Sequence, residues 1–96
     1  MMRWLIERKL TDTAKRLRKS RDELSVVDEQ LLHLGDEADE TRLRALVSDT
    51  PMADHEHRES QRHADAMRSA RYRLIERIGE LERHQDELLD KLHAGS

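Results

Sequence analysis

The chain has 96 residues, of which 41% are charged and 35% hydrophobic, and its formal net charge is −3. Such a composition allows one small domain over residues 1–96, and two aromatic residues, Trp4 and Tyr72, are too few for a thick globular core. The absence of Cys excludes disulfides and thiolate metal sites. No apolar run approaches the roughly 20 residues of a membrane span. We therefore expect a soluble, cytoplasmic protein with no membrane partner.

Apolar residues at helical spacing predict a first helix from about residue 2 to residue 34. They advance in alternating steps of three and four residues, which is typical of a helix face that packs against another helix. The stripe consists of Ile6, Leu10, Thr13, Leu17, Ser20, Leu24, Val27, Leu31 and Leu34. Gly35 follows the stripe directly and is well placed as a left-handed cap, so the helix is predicted to end there.

A short connecting helix is predicted over about residues 39–47. The preceding acidic segment, residues 36–40, forms a corner whose carboxylates favour the start of a helix. Leu43, Leu46 and Val47 share one face of this helix. We expect that face to be buried against the two long helices.

A second long helix is predicted from about residue 51 to residue 93. Thr50 or Asp49 supplies its cap, and Pro51 occupies its first turn. Residues 53–66 are polar, and apolar periodicity then returns with Met67, Ala70, Leu74, Ile78, Leu81, Leu88 and Leu92. The predicted fold is all-α, an antiparallel, coiled-coil-like helical hairpin with a short connecting helix.

Folding the chain back about its midpoint places Leu34 near Met52 and Leu24 near Arg62 or His63. Aliphatic residues of the first helix then face the polar residues 53–66, and each large side chain left exposed forgoes about 1.5–3 kcal/mol of burial. A second copy would cover them, so we expect a homodimer that forms a four-helix bundle; a different protein partner is the alternative. The predicted association seam is Leu10, Leu17, Leu24, Leu31, Leu74, Ile78, Leu81 and Leu88.

The function predicted from this architecture is a non-catalytic protein–protein interaction or assembly module that scaffolds or docks onto a larger protein complex. No nucleophile motif or cofactor motif occurs, and a helical hairpin offers no obvious water-excluding cleft, so we expect neither an enzyme nor a bound cofactor.

Charge segregation along the chain supports an alternative function, nucleic-acid binding. Residues 1–21 carry eight Lys and Arg against two acids, whereas residues 22–60 carry twelve acids against three Arg. A basic helix face can contact phosphates. The candidate contacts are Arg8, Lys15, Lys19, Arg71 and Arg73.

Metal-dependent assembly is a second alternative. His55, Glu59 and His63 recur every four residues, so a helix aligns them along one side. Such a row can supply two or three ligands to zinc, and a complete site needs more from a second helix or a second copy. No metal is therefore predicted for the single chain.

Overall fold

The computed structural model describes residues 2–95, which form two helices, α1 over Met2–Ser48 and α2 over Pro51–Ala94. A two-residue connection returns the chain, so that the helices run antiparallel as a hairpin. This confirms the all-α class, and the described residues contain no strand. α2 begins where the sequence placed the second long helix and ends one residue beyond the predicted bound.

Asp49 and Thr50 end one helix and begin the next. Asp49 adopts a left-handed φ of 48°, which Asp tolerates better than most residues, and its N–H donates to the Ala45 carbonyl at 3.1 Å. The Thr50 hydroxyl oxygen accepts a hydrogen bond from the Ala53 N–H at 3.1 Å and so caps α2. Pro51 then occupies the first helical position, where no backbone N–H is needed. The connection therefore satisfies backbone groups at both helix ends with few residues.

The predicted break at Gly35 and the separate helix over residues 39–47 are wrong, because α1 continues through both. No described glycine has a positive φ, so Gly35 does not act as a left-handed cap. The inner stripe continues past it with Ala38 and Thr41, which are buried, and with Ala45, which is half-buried. Packing of this continued stripe outweighs the roughly 1 kcal/mol that an interior glycine costs a helix.

Three ion pairs between α1 and α2 show which residues lie side by side. They are Glu23–Arg77, Asp28–Arg71 and Arg44–Glu56. In this register Leu34 lies close to the level of Ala64 and far from that of Met52, and Leu24 lies close to the level of Leu74. The register expected from the sequence was wrong because the turn comes later in the chain than predicted.

The contacts divide the chain into two compact units. We call residues 2–24 and 73–95 the terminal unit, and Ser25–Tyr72 the turn unit. The terminal unit buries large aliphatic side chains, which are Leu17, Leu74, Ile78 and Leu88. The assignment of residues 1–96 to a single domain stays a prediction.

The turn unit buries small side chains instead. Its buried apolar residues are Ala38, Ala53 and Ala64. The buried hydroxyls of Thr41 and Ser60 donate back to carbonyls of their own helices, at 3.0 Å and 2.9 Å. These polar groups therefore need no partner across the hairpin, and small residues allow the helices to approach closely.

We expect Gly35→Ala to raise the free energy of unfolding by about 0.5–1 kcal/mol, because alanine favours a helix interior. A Cβ at Gly35 meets no atom within 4 Å. Urea unfolding followed by circular dichroism measures the change. Gly79→Ala is the matched control, since its Cβ would lie 3.4 Å from the flexible Arg83 side chain and a similar gain is expected. A loss of stability at Gly35 alone would show that α1 breaks there.

Candidate interaction surfaces

The eight residues of the predicted association seam line the contact between α1 and α2 within one chain. Four of them are buried: Leu17, Leu74, Ile78 and Leu88. The other four are half-buried: Leu10, Leu24, Leu31 and Leu81. Leu17 is only 2% exposed, and a side chain so covered offers little surface to a second molecule. These residues hold the hairpin closed, and their role in joining two copies stays a prediction.

Exposed aliphatic side chains gather on both sides of the turn. Leu43, Leu46 and Val47 lie on the side of α1 that faces away from α2, and Val47 is 86% exposed. Met52 is exposed in the first turn of α2. We call these four residues the turn patch. They form the most concentrated group of exposed aliphatic side chains in the turn unit.

The expectation that Leu43, Leu46 and Val47 are buried is wrong. In a continuous α1 the inner positions at this level belong to Thr41 and Ala45, so the larger aliphatic side chains fall on the outer face. A separate short helix could have turned this face inward, whereas the continuous helix cannot.

Acidic side chains surround the turn patch. Asp36, Asp39 and Glu40 are exposed on the outer side of α1. Arg44 lies 3.5 Å from the Glu40 carboxylate and 3.6 Å from that of Glu56, and such exposed pairs contribute at most about 1 kcal/mol each. Over the whole turn unit, eleven acids stand against six arginines. The turn patch is therefore an apolar surface in an acidic setting.

The terminal unit carries a basic surface whose charges are not neutralised within residues 2–95. Arg3 pairs with Glu7 at 3.2 Å. No ion pair within these residues engages the next seven basic residues of α1, all of them exposed: Arg8, Lys9, Lys15, Arg16, Arg18, Lys19 and Arg21. We call these seven residues the basic face. Four of the six arginines of the turn unit have carboxylate partners, so the longest run of unpaired positive charge among residues 2–95 lies at the start of α1.

The structure brings together only some of the predicted nucleic-acid contacts. Arg8, Lys15 and Lys19 follow one another along the outer side of α1. Arg73 is exposed on α2 in the same unit. Arg71 belongs to the turn unit and donates a hydrogen bond to the Asp28 carboxylate at 2.6 Å, so its charge is already paired.

The predicted metal row lies on α2 in the turn unit. His55 and His63 are exposed, and Glu59 between them pairs with Arg62. Among residues 2–95 no group of three or more His, Asp or Glu side chains is arranged to hold a metal ion. Metal-dependent assembly across copies stays a prediction.

His57 is a residue whose position the sequence analysis did not anticipate. It is half-buried on the inner side of α2, and its Nδ1 atom is buried without a hydrogen-bond partner. An unsatisfied buried polar atom costs about 1–3 kcal/mol. The spacing of four and three residues from Ala53 through His57 to Ser60 indicates that His57 lies on the inner side of α2. A histidine within a polar segment does not stand out by hydrophobicity, so this spacing was missed.

Comparison with protein-family models, with curated proteins and with solved structures gave no significant match. Over residues 2–95, neither helix has a stretch apolar enough to cross a bilayer.

We expect Leu17→Ala to lower the free energy of unfolding by about 2–4 kcal/mol, because it leaves a cavity in the contact between the helices. Leu32→Ala is the control: Leu32 is 71% exposed, and a change below about 0.5 kcal/mol is expected. Chemical unfolding of both variants at low protein concentration measures the difference. Equal losses would contradict the assignment of Leu17 to the interior.

Proposed function

We propose that the protein is a non-catalytic interaction module, a coiled-coil hairpin that self-associates through the turn patch. The observation that carries this proposal is the exposure of Leu43, Leu46, Val47 and Met52 around one turn. Clustered exposed apolar side chains on soluble proteins commonly mark interaction sites. None of the four is buried in the contact between α1 and α2, so packing within the single chain does not account for most of their apolar surface.

The burial pattern supports the coiled-coil assignment. Inner positions alternate in steps of three and four along both helices, and the ion pairs Glu23–Arg77 and Arg44–Glu56 flank them. Coiled-coil hairpins present helix surfaces rather than deep clefts, and such surfaces suit docking and assembly better than catalysis.

The partner that we propose is a second copy, packed so that the turn units of two chains form a four-helix bundle. In a two-fold contact the same patch serves both chains, so one aliphatic surface suffices. The acids around the patch oppose the approach of two copies by like-charge repulsion. Because salt screens that repulsion and leaves apolar contact intact, we expect self-association to strengthen as salt is added. A basic partner protein would show the opposite salt dependence.

The triple substitution Leu43→Gln, Leu46→Gln and Val47→Gln tests this proposal. Glutamine keeps a high helix propensity while removing most of the apolar surface. We expect the unmodified chain to sediment as a dimer and the triple variant as a monomer over the same concentrations, with unchanged helical circular dichroism.

The control is the double variant Trp4→Gln and Leu5→Gln, which removes exposed apolar side chains from the terminal unit and should leave the dimer intact. Sedimentation velocity at low and high salt measures each species. An unmodified chain that stays monomeric at every concentration and salt level would refute the proposal, as would equal loss of the dimer in both variants.

A further inference from the structure

We propose that the start of α1 binds an anionic lipid surface from one side, without crossing it. The first turns combine three exposed apolar side chains, Met2, Trp4 and Leu5, with the unpaired charges of the basic face. This surface belongs to the terminal unit and shares no residue with the turn patch. The inference therefore does not depend on self-association.

The basic face supplies the electrostatic part of the interaction. Arg8, Lys15 and Lys19 lie on the outer side of α1, with Arg16 and Arg18 beside them. Each lysine or arginine held near an anionic leaflet strengthens binding about fivefold at moderate ionic strength. Because no carboxylate within residues 2–95 pairs with these side chains, their charge is available to lipid phosphates.

The exposed apolar side chains of the first turns would insert into the lipid surface. Trp4 is 59% exposed, and the Arg8 guanidinium carbon lies 5.6 Å from the centre of its ring. A tryptophan ring beside a cation suits the headgroup region, where one part of the side chain is apolar and another is wet. Leu5 lies next to Trp4 on the outer side of the helix and is also exposed. Because the apolar stripe of α1 packs against α2, the side chains available to enter the headgroup region are those exposed on its outer side.

A hollow at the same end of the terminal unit extends the apolar surface. It has a volume of about 460 Å³ and is lined by Met2, Ile6 and Leu92 together with Arg3 and Lys91. Apolar walls combined with basic side chains are compatible with an acyl chain and its phosphate. Its position beside the first turn of α1 makes the apolar surface broader than three side chains.

Nucleic acid is the other polyanion that the basic face could contact, and it explains fewer observations. Phosphate contacts require the basic residues but give no role to exposed Met2 and Leu5. Single-stranded binding relies on aromatic stacking, whereas Trp4 is the sole aromatic residue of the terminal unit. The sequence-based expectation of no membrane partner rested on the lack of a spanning segment, which a peripheral contact does not need.

The chain supplies its own reporter, because Trp4 is its single tryptophan. Full-length protein is titrated with vesicles of phosphatidylcholine alone and with vesicles that also contain phosphatidylglycerol. We expect a blue shift of Trp4 emission with the anionic vesicles only, and we expect added salt to reduce it. Co-sedimentation gives the affinity independently.

Charge-matched variants then locate the contact. Lys15→Glu with Lys19→Glu should weaken vesicle binding at least about 30-fold. Arg42→Glu with Arg58→Glu changes the net charge equally within the turn unit and should weaken binding far less. Leu5→Gln should reduce the blue shift while leaving helical circular dichroism unchanged.

Three results would overturn the inference. One is an unshifted Trp4 spectrum with anionic vesicles at low salt. Another is an equal loss of vesicle binding in the two charge variants. The third is a gel shift with duplex or single-stranded nucleic acid that depends on Lys15 and Lys19 while the vesicles do not bind, which would assign the basic face to nucleic acid.

Discussion

The two-residue connection at Asp49 and Thr50 determines which residue of α1 lies beside which residue of α2. A connection of two residues restricts how the helices can be placed, and both residues have a structural role. Asp49 ends α1 in a left-handed conformation, and Thr50 caps α2. With the connection set, the inner positions of α1 pack against those of α2. The buried side chains are mostly large and aliphatic in the terminal unit, and small in the turn unit. The outer faces, and with them the candidate interaction surfaces, follow from the same register.

Much of the fold could be predicted from the sequence, because apolar periodicity reports which side of a helix is buried. All nine residues of the stripe predicted for α1, from Ile6 to Leu34, are buried or half-buried. The sequence did not predict that α1 continues beyond Gly35. Gly35 is a strong local signal for a helix end, whereas Ala38, Thr41 and Ala45 carry little hydrophobic signal for a helix that goes on. Their burial depends on small residues of α2, such as Ala53, which only the register brings alongside.

The sequence showed which residues form the turn patch and the basic face, but not that the apolar side chains at and beside them are exposed. Seven unpaired basic residues near the start of α1 are visible in the sequence as a charge run. The apolar residues that accompany them, Trp4 and Leu5, gain meaning only once the structure shows them exposed beside that charge. Leu43, Leu46 and Val47 were recognised as one face, and the wrong break in α1 assigned that face to the interior. The error in the length of α1 thus led to the prediction that these exposed residues are buried.

The most direct test of this account is cross-linking of introduced cysteines, because the chain has none of its own. Asp28→Cys with Arg71→Cys places a pair where the structure has a 2.6 Å hydrogen bond. Leu34→Cys with Met52→Cys places a pair that a helix end at Gly35 followed by a short connecting helix would bring together but that a continuous α1 holds roughly 20 Å apart along its axis. With a short bis-maleimide at low protein concentration, we expect intrachain linkage of the first pair and not of the second. Linkage of the second pair alone would contradict the continuous α1 and everything derived from its register.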